Sequence, residues 1–141
     1  MSFPAVANYE QFIYAIPERY RTVEVSTLVL IRLGRTVGEL RGYLHFSDNI
    51  TLGVSEEIDF SVGVIKSYSY WVTRGKERLY WYDSQPHPND SSLASTHPHH
   101  KHIPSDIKHH RIPASGLSFS EPNLPFLICE IEELLLADEE R

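Results

Sequence analysis

The sequence predicts an α+β fold: a five-stranded antiparallel meander sheet, a helix from each end of the chain packed on it, and a long His-rich loop. Three observations carry this reading. Residues 21–83 are rich in Val, Ile, Thr, Tyr and Phe, in short apolar runs broken by turn residues. The breaks at Gly34-Arg35, Ser47-Asp48-Asn49, 61–63 and Gly75-Lys76 are too short to carry crossovers, so successive strands must run antiparallel. Apolar residues recur at helical spacing near both ends of the chain.

In chain order, Val6, Tyr9, Ile13 and Ile16 give the first helix, expected over 6–15 because Pro17 disfavours helix at the residue before it. The strands are expected at about 22–33, 36–46, 50–60, 64–74 and 77–83. The third is the clearest. Ile50, Leu52, Val54, Ile58 and Phe60 alternate with Thr51, Gly53, Ser55, Glu57 and Asp59, the signature of a half-buried strand. After Asp83 the pattern dissolves into Pro, Ser, Asn, Asp and His, so 84–118 is expected to be loop, of a length that is usually functional or disordered. Asn123 then stands as N-cap before Leu124, Leu127, Ile128, Ile131 and Leu134, giving a second helix over 123–137.

The length of 141 residues fits one domain, 1–141, with a core of its own. No apolar run approaches the roughly 20 residues that cross a bilayer, and the N-terminal residues have no signal-peptide pattern, so a cytoplasmic protein without a membrane partner is expected. Cys129 is the only cysteine, which excludes an internal disulfide and a thiolate zinc site of the usual kind. The net charge of −6 argues against a nucleic-acid partner until its distribution is considered. Seven acids and only Arg141 as a base lie within 121–141, so the first 120 residues are balanced. The stretch 84–120 has Lys101, Lys108 and Arg111 against Asp90 and Asp106, together with most of the histidines, and can meet an anion.

Glu56 falls on the apolar face of the third strand, where a carboxylate is costly unless paired or protonated. The structural alternative is a strand end that reaches water, or a basic partner. A type II′ turn at Gly75-Lys76 pairs Arg74 with Glu77 and sets Tyr68 opposite Asp83. A three-residue loop at 61–63 pairs Phe60 with Val64 and sets Glu56 opposite Tyr68. Glu56, Tyr68 and Asp83 are therefore expected side by side at one end of the sheet, with a histidine from 97–102 folded back against them.

His97, His99, His100 and His102 surround Lys101 within six residues, with His87 upstream and His109-His110 downstream. A flexible polar loop explains single histidines better than this density. A metal site is disfavoured because the spacing matches no common ligand pattern. Metal-free RNA cleavage needs a base for the 2′-hydroxyl, an acid for the departing 5′-oxygen and positive charge near the phosphate. Two of these histidines meet the first needs, Glu56 or Asp83 can orient an imidazole, and Lys101 or Arg111 can hold the phosphate. His87 and Tyr82 are further substrate-binding candidates; within Tyr80-Trp81-Tyr82 a strand makes two of the three aromatics packing residues. Neither a metal nor another cofactor is expected.

The motifs Leu52-Gly53-Val54-Ser55-Glu56, Tyr68-Ser69-Tyr70, Tyr82-Asp83 with Pro86-His87, and Pro98-His99-His100-Lys101-His102 occur in that order. In this the chain resembles the TumE family of toxins from bacterial toxin–antitoxin modules. The resemblance implies a growth-arresting toxin acting through RNA cleavage and neutralised by a helix-turn-helix antitoxin encoded beside it. Trp81 and Pro88 stand where typical members carry Arg and a second His, which marks a divergent branch. The competing reading is a non-enzymatic protein whose His-rich loop engages a protein partner or a metal ion.

Overall fold

Alternation in the central strands sorts one face of the sheet for burial, and the two ends of the chain cover that face. The computed structural model describes residues 3–84, 100–103, 111–113 and 116–136. The elements are α1 (Val6–Tyr14), α2 (Ile16–Arg19), β1 (Val25–Ser26), β2 (Val29–Arg32), β3 (Val37–His45), β4 (Ile50–Asp59), β5 (Val64–Arg74), β6 (Glu77–Asp83), β7 (His100–His102), β8 (Arg111–Pro113) and α3 (Leu124–Ile131). A π-helical turn, Glu132–Leu136, continues α3.

The fold is α+β, with an open antiparallel sheet and few helices, as the sequence predicts. The strand count is not. The hydrogen-bonded path runs through seven strands, β1-β3-β4-β5-β6-β7-β8, and β2 also pairs with β3. The expected first strand is divided into β1 and β2 where the chain passes over Gly42. There a Cβ would lie 2.4 Å from the Thr27 carbonyl oxygen, and Gly42 has φ 138, so both the contact and the backbone require glycine. At the other edge, 100–102 and 111–113 were expected within the loop. They extend the sheet instead, because β6 would otherwise present a row of unpaired backbone groups.

Leu40, Leu44, Ile50, Leu52, Ile58, Ile65 and Tyr70 are buried on the helix side, together with Tyr9 and Ile13 of α1 and Leu124, Ile128 and Ile131 of α3. Each such aliphatic side chain removed from water contributes about 1.5–3 kcal/mol. α1 ends at Tyr14, close to the expected 15, but Ile16, where Pro17 was expected to disfavour helix, opens the single turn of α2 with Pro17 in its first turn, where a missing N–H costs nothing. Asn123 stands at the N-cap position, but its side chain makes no capping hydrogen bond. Its backbone is already helical, and its side chain accepts from Ser118 N (2.8 Å) and donates to the Tyr70 hydroxyl (3.0 Å). The π turn advances the helical face: Leu134, expected inside, is 60% exposed, and Leu136 is buried in its place. Only the α-helical part ends at Ile131; with the π turn the helical run spans Leu124 to Leu136, against the expected 123–137.

Candidate functional site

Pairing carries one row of residues across five strands: Tyr43 opposite Gly53, Gly53 opposite Trp71, Trp71 opposite Trp81, and Trp81 opposite His102. Cross-strand partners share a face, so the whole row lies on the side away from the helices. Trp71 lies flat on Gly53, where a Cβ would be 2.0 Å from its ring; only glycine leaves room for the indole. Tyr43 meets Trp71 edge-on at 6.0 Å, and His102 stacks on Trp81 at 4.5 Å with 26° between the planes. Arg78 completes the far end, its guanidinium 5.0 Å from the centre of the Trp81 ring.

The Nε2 atom of His102 lies 2.9 Å from Oδ2 of Asp83, two positions along the same face. This carboxylate–imidazole pair is the contact expected of the His-rich segment. With Nε2 engaged, the carboxylate fixes the ring's orientation and tautomer. His102 is itself buried, 2% exposed, beneath Trp81. Burial favours a held imidazole over a mobile one.

The register of Asp83 corrects the expected cluster. Arg74 does pair with Glu77, but a bulge at Leu79 follows Thr73 opposite Arg78, so Asp83 stands opposite Ser69 rather than Tyr68. Glu56 does stand opposite Tyr68, although Asp59 rather than Phe60 pairs with Val64; the four-residue turn is compensated by a bulge at Lys66. Glu56 and Asp83 consequently lie on opposite faces, and the expected three-residue cluster does not form. Tyr68 is buried on the helix side, stacked on Tyr70 at 4.9 Å. Burial, and then the Asp83 carboxylate, push its phenol well up.

Glu56 is fully enclosed and meets neither water at a strand end nor a basic partner. The Tyr9 hydroxyl donates to its Oε1 and the Tyr70 hydroxyl to its Oε2, each at 2.5 Å. Burial raises its pKa, and the hydrogen bonds from Tyr70 and Tyr9 offset part of the rise. The same burial pushes both phenols far up. Tyr9, Glu56, Tyr70, Asn123 and the Ser118 backbone form one buried polar chain that ties both helices to the sheet.

Lys101, expected to hold phosphate, lies on the helix side as the partner of Tyr82. Its ammonium is 3.3 Å from Glu130 and 4.5 Å and 5.3 Å from the ring centres of Tyr80 and Tyr82. Tyr82 is buried and donates to Glu130 at 2.7 Å, so Trp81 is the outward member of the aromatic triplet. His100 lies opposite Asp83, and Arg111 opposite His102, in the backbone ladder. His87, His97 and His99 lie outside the described residues. Among the described residues no group of three His, Cys, Asp or Glu side chains is arranged to hold a metal.

Two recesses flank Trp71 on this face. One, about 280 Å³, is lined by Ser69, Trp71, Arg78 and Trp81; the other, about 470 Å³, is lined chiefly by Val29, Ile31, Arg41, Tyr43 and Trp71. None of Trp71, Arg78, Arg41 or Tyr43 was singled out from sequence. Strand parity contained the signal: Tyr68, Tyr70 and Val72 facing inward forces Ser69, Trp71 and Thr73 outward.

A family model described as toxin TumE matches residues 14–135, from the end of α1 through the π turn, and so contains Glu56, Asp83 and His102. The chain belongs to the TumE toxin family. Membership implies a toxin of a toxin–antitoxin module, with a cognate antitoxin as partner. No curated protein and no solved structure matches the chain. No helix among the described residues of this TumE-family member is long and apolar enough to cross a membrane.

Proposed function

We propose that this TumE-family toxin is a metal-independent endoribonuclease that uses histidine acid/base chemistry in the cytoplasm. The observation that supports it most is the pairing of Asp83 with His102 at one end of an outward row of aromatics. In the proposed reaction an imidazole removes the 2′-hydroxyl proton, and the 2′-oxygen attacks the adjacent phosphorus. The bond to the departing 5′-oxygen breaks as a second imidazole supplies its proton. The products are a 2′,3′-cyclic phosphate and a 5′-hydroxyl.

His102 is the imidazole that Asp83 orients; His97, His99 and His100 remain the proposed source of the second, on chemistry and sequence. Arg78 is a better placed cation than Lys101, since it lies on the His102 face and Lys101 is engaged by Glu130. The proposed neutralising partner is a helix-turn-helix antitoxin, and a small gene of that kind abutting this one would support the assignment.

Incubation of the purified protein with cellular RNA in EDTA tests the reading directly. Cleavage leaving 2′,3′-cyclic phosphate ends, lost in His102→Ala and reduced in Asp83→Asn, is the expected result. Dependence on a divalent ion, or 3′-hydroxyl products, would overturn it.

A further inference from the structure

The sheet face away from the helices carries, beside His102, a row of aromatics that acid/base chemistry does not use. Tyr43, Trp71, Trp81 and His102 occupy one row over Gly53, across five strands, which is on the order of 19 Å at the usual strand spacing. No described helix covers them. Trp71 divides the row into two recesses, and each contains an exposed arginine, Arg78 toward Asp83 and His102, Arg41 toward Tyr43.

We propose that this row is a platform for single-stranded RNA, on which unpaired bases enter the recesses on either side of Trp71 and the strand runs toward the Asp83–His102 pair. The assignment rests on the ribonuclease reading for the identity of the chain that is bound, and it adds the surface and the unpaired state of the substrate.

Three features favour this occupant. Indole faces in a groove receive a base of any sequence, but only when the base is not already stacked in a duplex. Gly53 removes the one side chain that would lift Trp71 off the sheet, so the ring is held flat at little entropic cost. The cations complement a phosphate chain. Among the described residues Arg78 has no ion-pair partner and rests on Trp81; Arg41, itself exposed, pairs with the partly buried Glu39. Val29 and Ile31 are exposed where they line the second recess and give it an apolar wall on which a base can also rest.

The chain contains two tryptophans, Trp71 and Trp81, so its intrinsic indole fluorescence reports on this row alone. The probe is a short 2′-O-methyl oligoribonucleotide of mixed sequence, which cannot be cleaved, used single-stranded and annealed to its complement. The single strand is expected to quench the fluorescence and to bind at least tenfold more tightly than the duplex. Trp71→Ala should weaken binding about tenfold, the size of one base–aromatic stack, and Trp71→Phe should retain most of it. Arg78→Ala should weaken binding less and flatten its salt dependence. The Phe variant and circular dichroism separate loss of the platform from loss of the fold.

Equal affinity for duplex, unchanged fluorescence, or wild-type affinity in Trp71→Ala would each overturn the platform. So would a Trp71→Ala protein that binds the oligonucleotide normally and escapes neutralisation by the antitoxin, which would make the face a protein-docking surface. The two proposals fail separately. Tight binding of the uncleavable strand without any cleavage of RNA would remove the nuclease reading alone, and cleavage with affinity indifferent to Trp71 would remove the platform alone.

Discussion

Lys101 and His102 are neighbours in β7 and point to opposite faces of the sheet, Lys101 to Glu130 beneath α3 and His102 to Asp83 beside Trp81. A strand imposes this division on any two consecutive residues. Lys101 and His102 therefore do not belong to one site: Lys101 anchors the C-terminal helix and His102 lies on the other face.

The first expectation concerns that division. Lys101→Met keeps the aliphatic stem over Tyr80 and Tyr82 and removes the ion pair with Glu130, of which both members are about 15% exposed. Because the pair is largely enclosed, the loss should destabilise the fold by about 2 kcal/mol, the usual cost of a hydrogen bond to a charged group. Cleavage per folded molecule should not change. Denaturant melts alongside RNA cleavage check this, and a large catalytic loss in a fully folded Lys101→Met protein would return Lys101 to the substrate.

Asp83→Asn should lower cleavage by about 10- to 100-fold, the usual effect of removing a group that orients an acting side chain. His102→Ala should cost more, about 100-fold or above, if the imidazole itself transfers protons. The double variant should be no worse than His102→Ala, because both substitutions remove one unit. Single-turnover cleavage rates on one RNA, compared across the three proteins, give the coupling directly.

Much of this arrangement is legible in the sequence where the period-2 signal is long. The alternation from Ile50 places Glu56 on the inner face and its pairing with Tyr68 follows, although two one-residue differences, the longer turn and the bulge at Lys66, cancel to give it. The bulge at Leu79 has no compensating partner, so Asp83 moves to Ser69 and to the other face. No Gly or Pro marks that bulge, and nothing in Arg78-Leu79-Tyr80 distinguishes it from regular strand. In β7 three residues are too few to show alternation, and the segment joins the sheet through backbone bonds to β6 that side-chain patterns do not encode. Asn123 had the chemistry of a cap, but its side-chain oxygen accepts from Ser118 N instead, while its amide nitrogen donates to the buried Tyr70 hydroxyl.

Gly53→Val should displace Trp71. The added Cβ would start 2.0 Å from the indole, and adjacent strands leave no room to yield. The expected cost is about 1–3 kcal/mol of stability, with a change in tryptophan emission as the ring becomes exposed. Thermal melts and emission spectra of the variant test this. An unaltered spectrum would mean that Trp71 is not held by Gly53.

The last expectation concerns pH and the buried carboxyl of Glu56. Its pKa is raised in the folded state, chiefly by burial, from an ordinary value of 4.5. The folded protein therefore holds this proton at pH values where the unfolded chain has released it. That contribution to stability is fully present below the unfolded pKa and is lost as pH rises through the folded one, so stability should fall with pH across this window. Glu10, lowered by its hydrogen bond from Arg32, and Asp59, lowered by Ser61, act in the opposite sense at lower pH and lose their contribution as pH falls. Both are solvated and unaffected by a change at Glu56. The difference in unfolding free energy between the wild type and Glu56→Gln isolates the buried group. Glu56→Gln keeps an acceptor for one phenol and cannot ionise, and it should cost about 1–2 kcal/mol near pH 4 through its poorer match to two donors. The difference should shrink toward pH 7 as the wild type loses its proton-linked contribution. Urea titrations from pH 4 to pH 7 on both proteins measure it, and a difference that grows with pH would mean that the two phenols hold Glu56 as a carboxylate strongly enough to outweigh its burial.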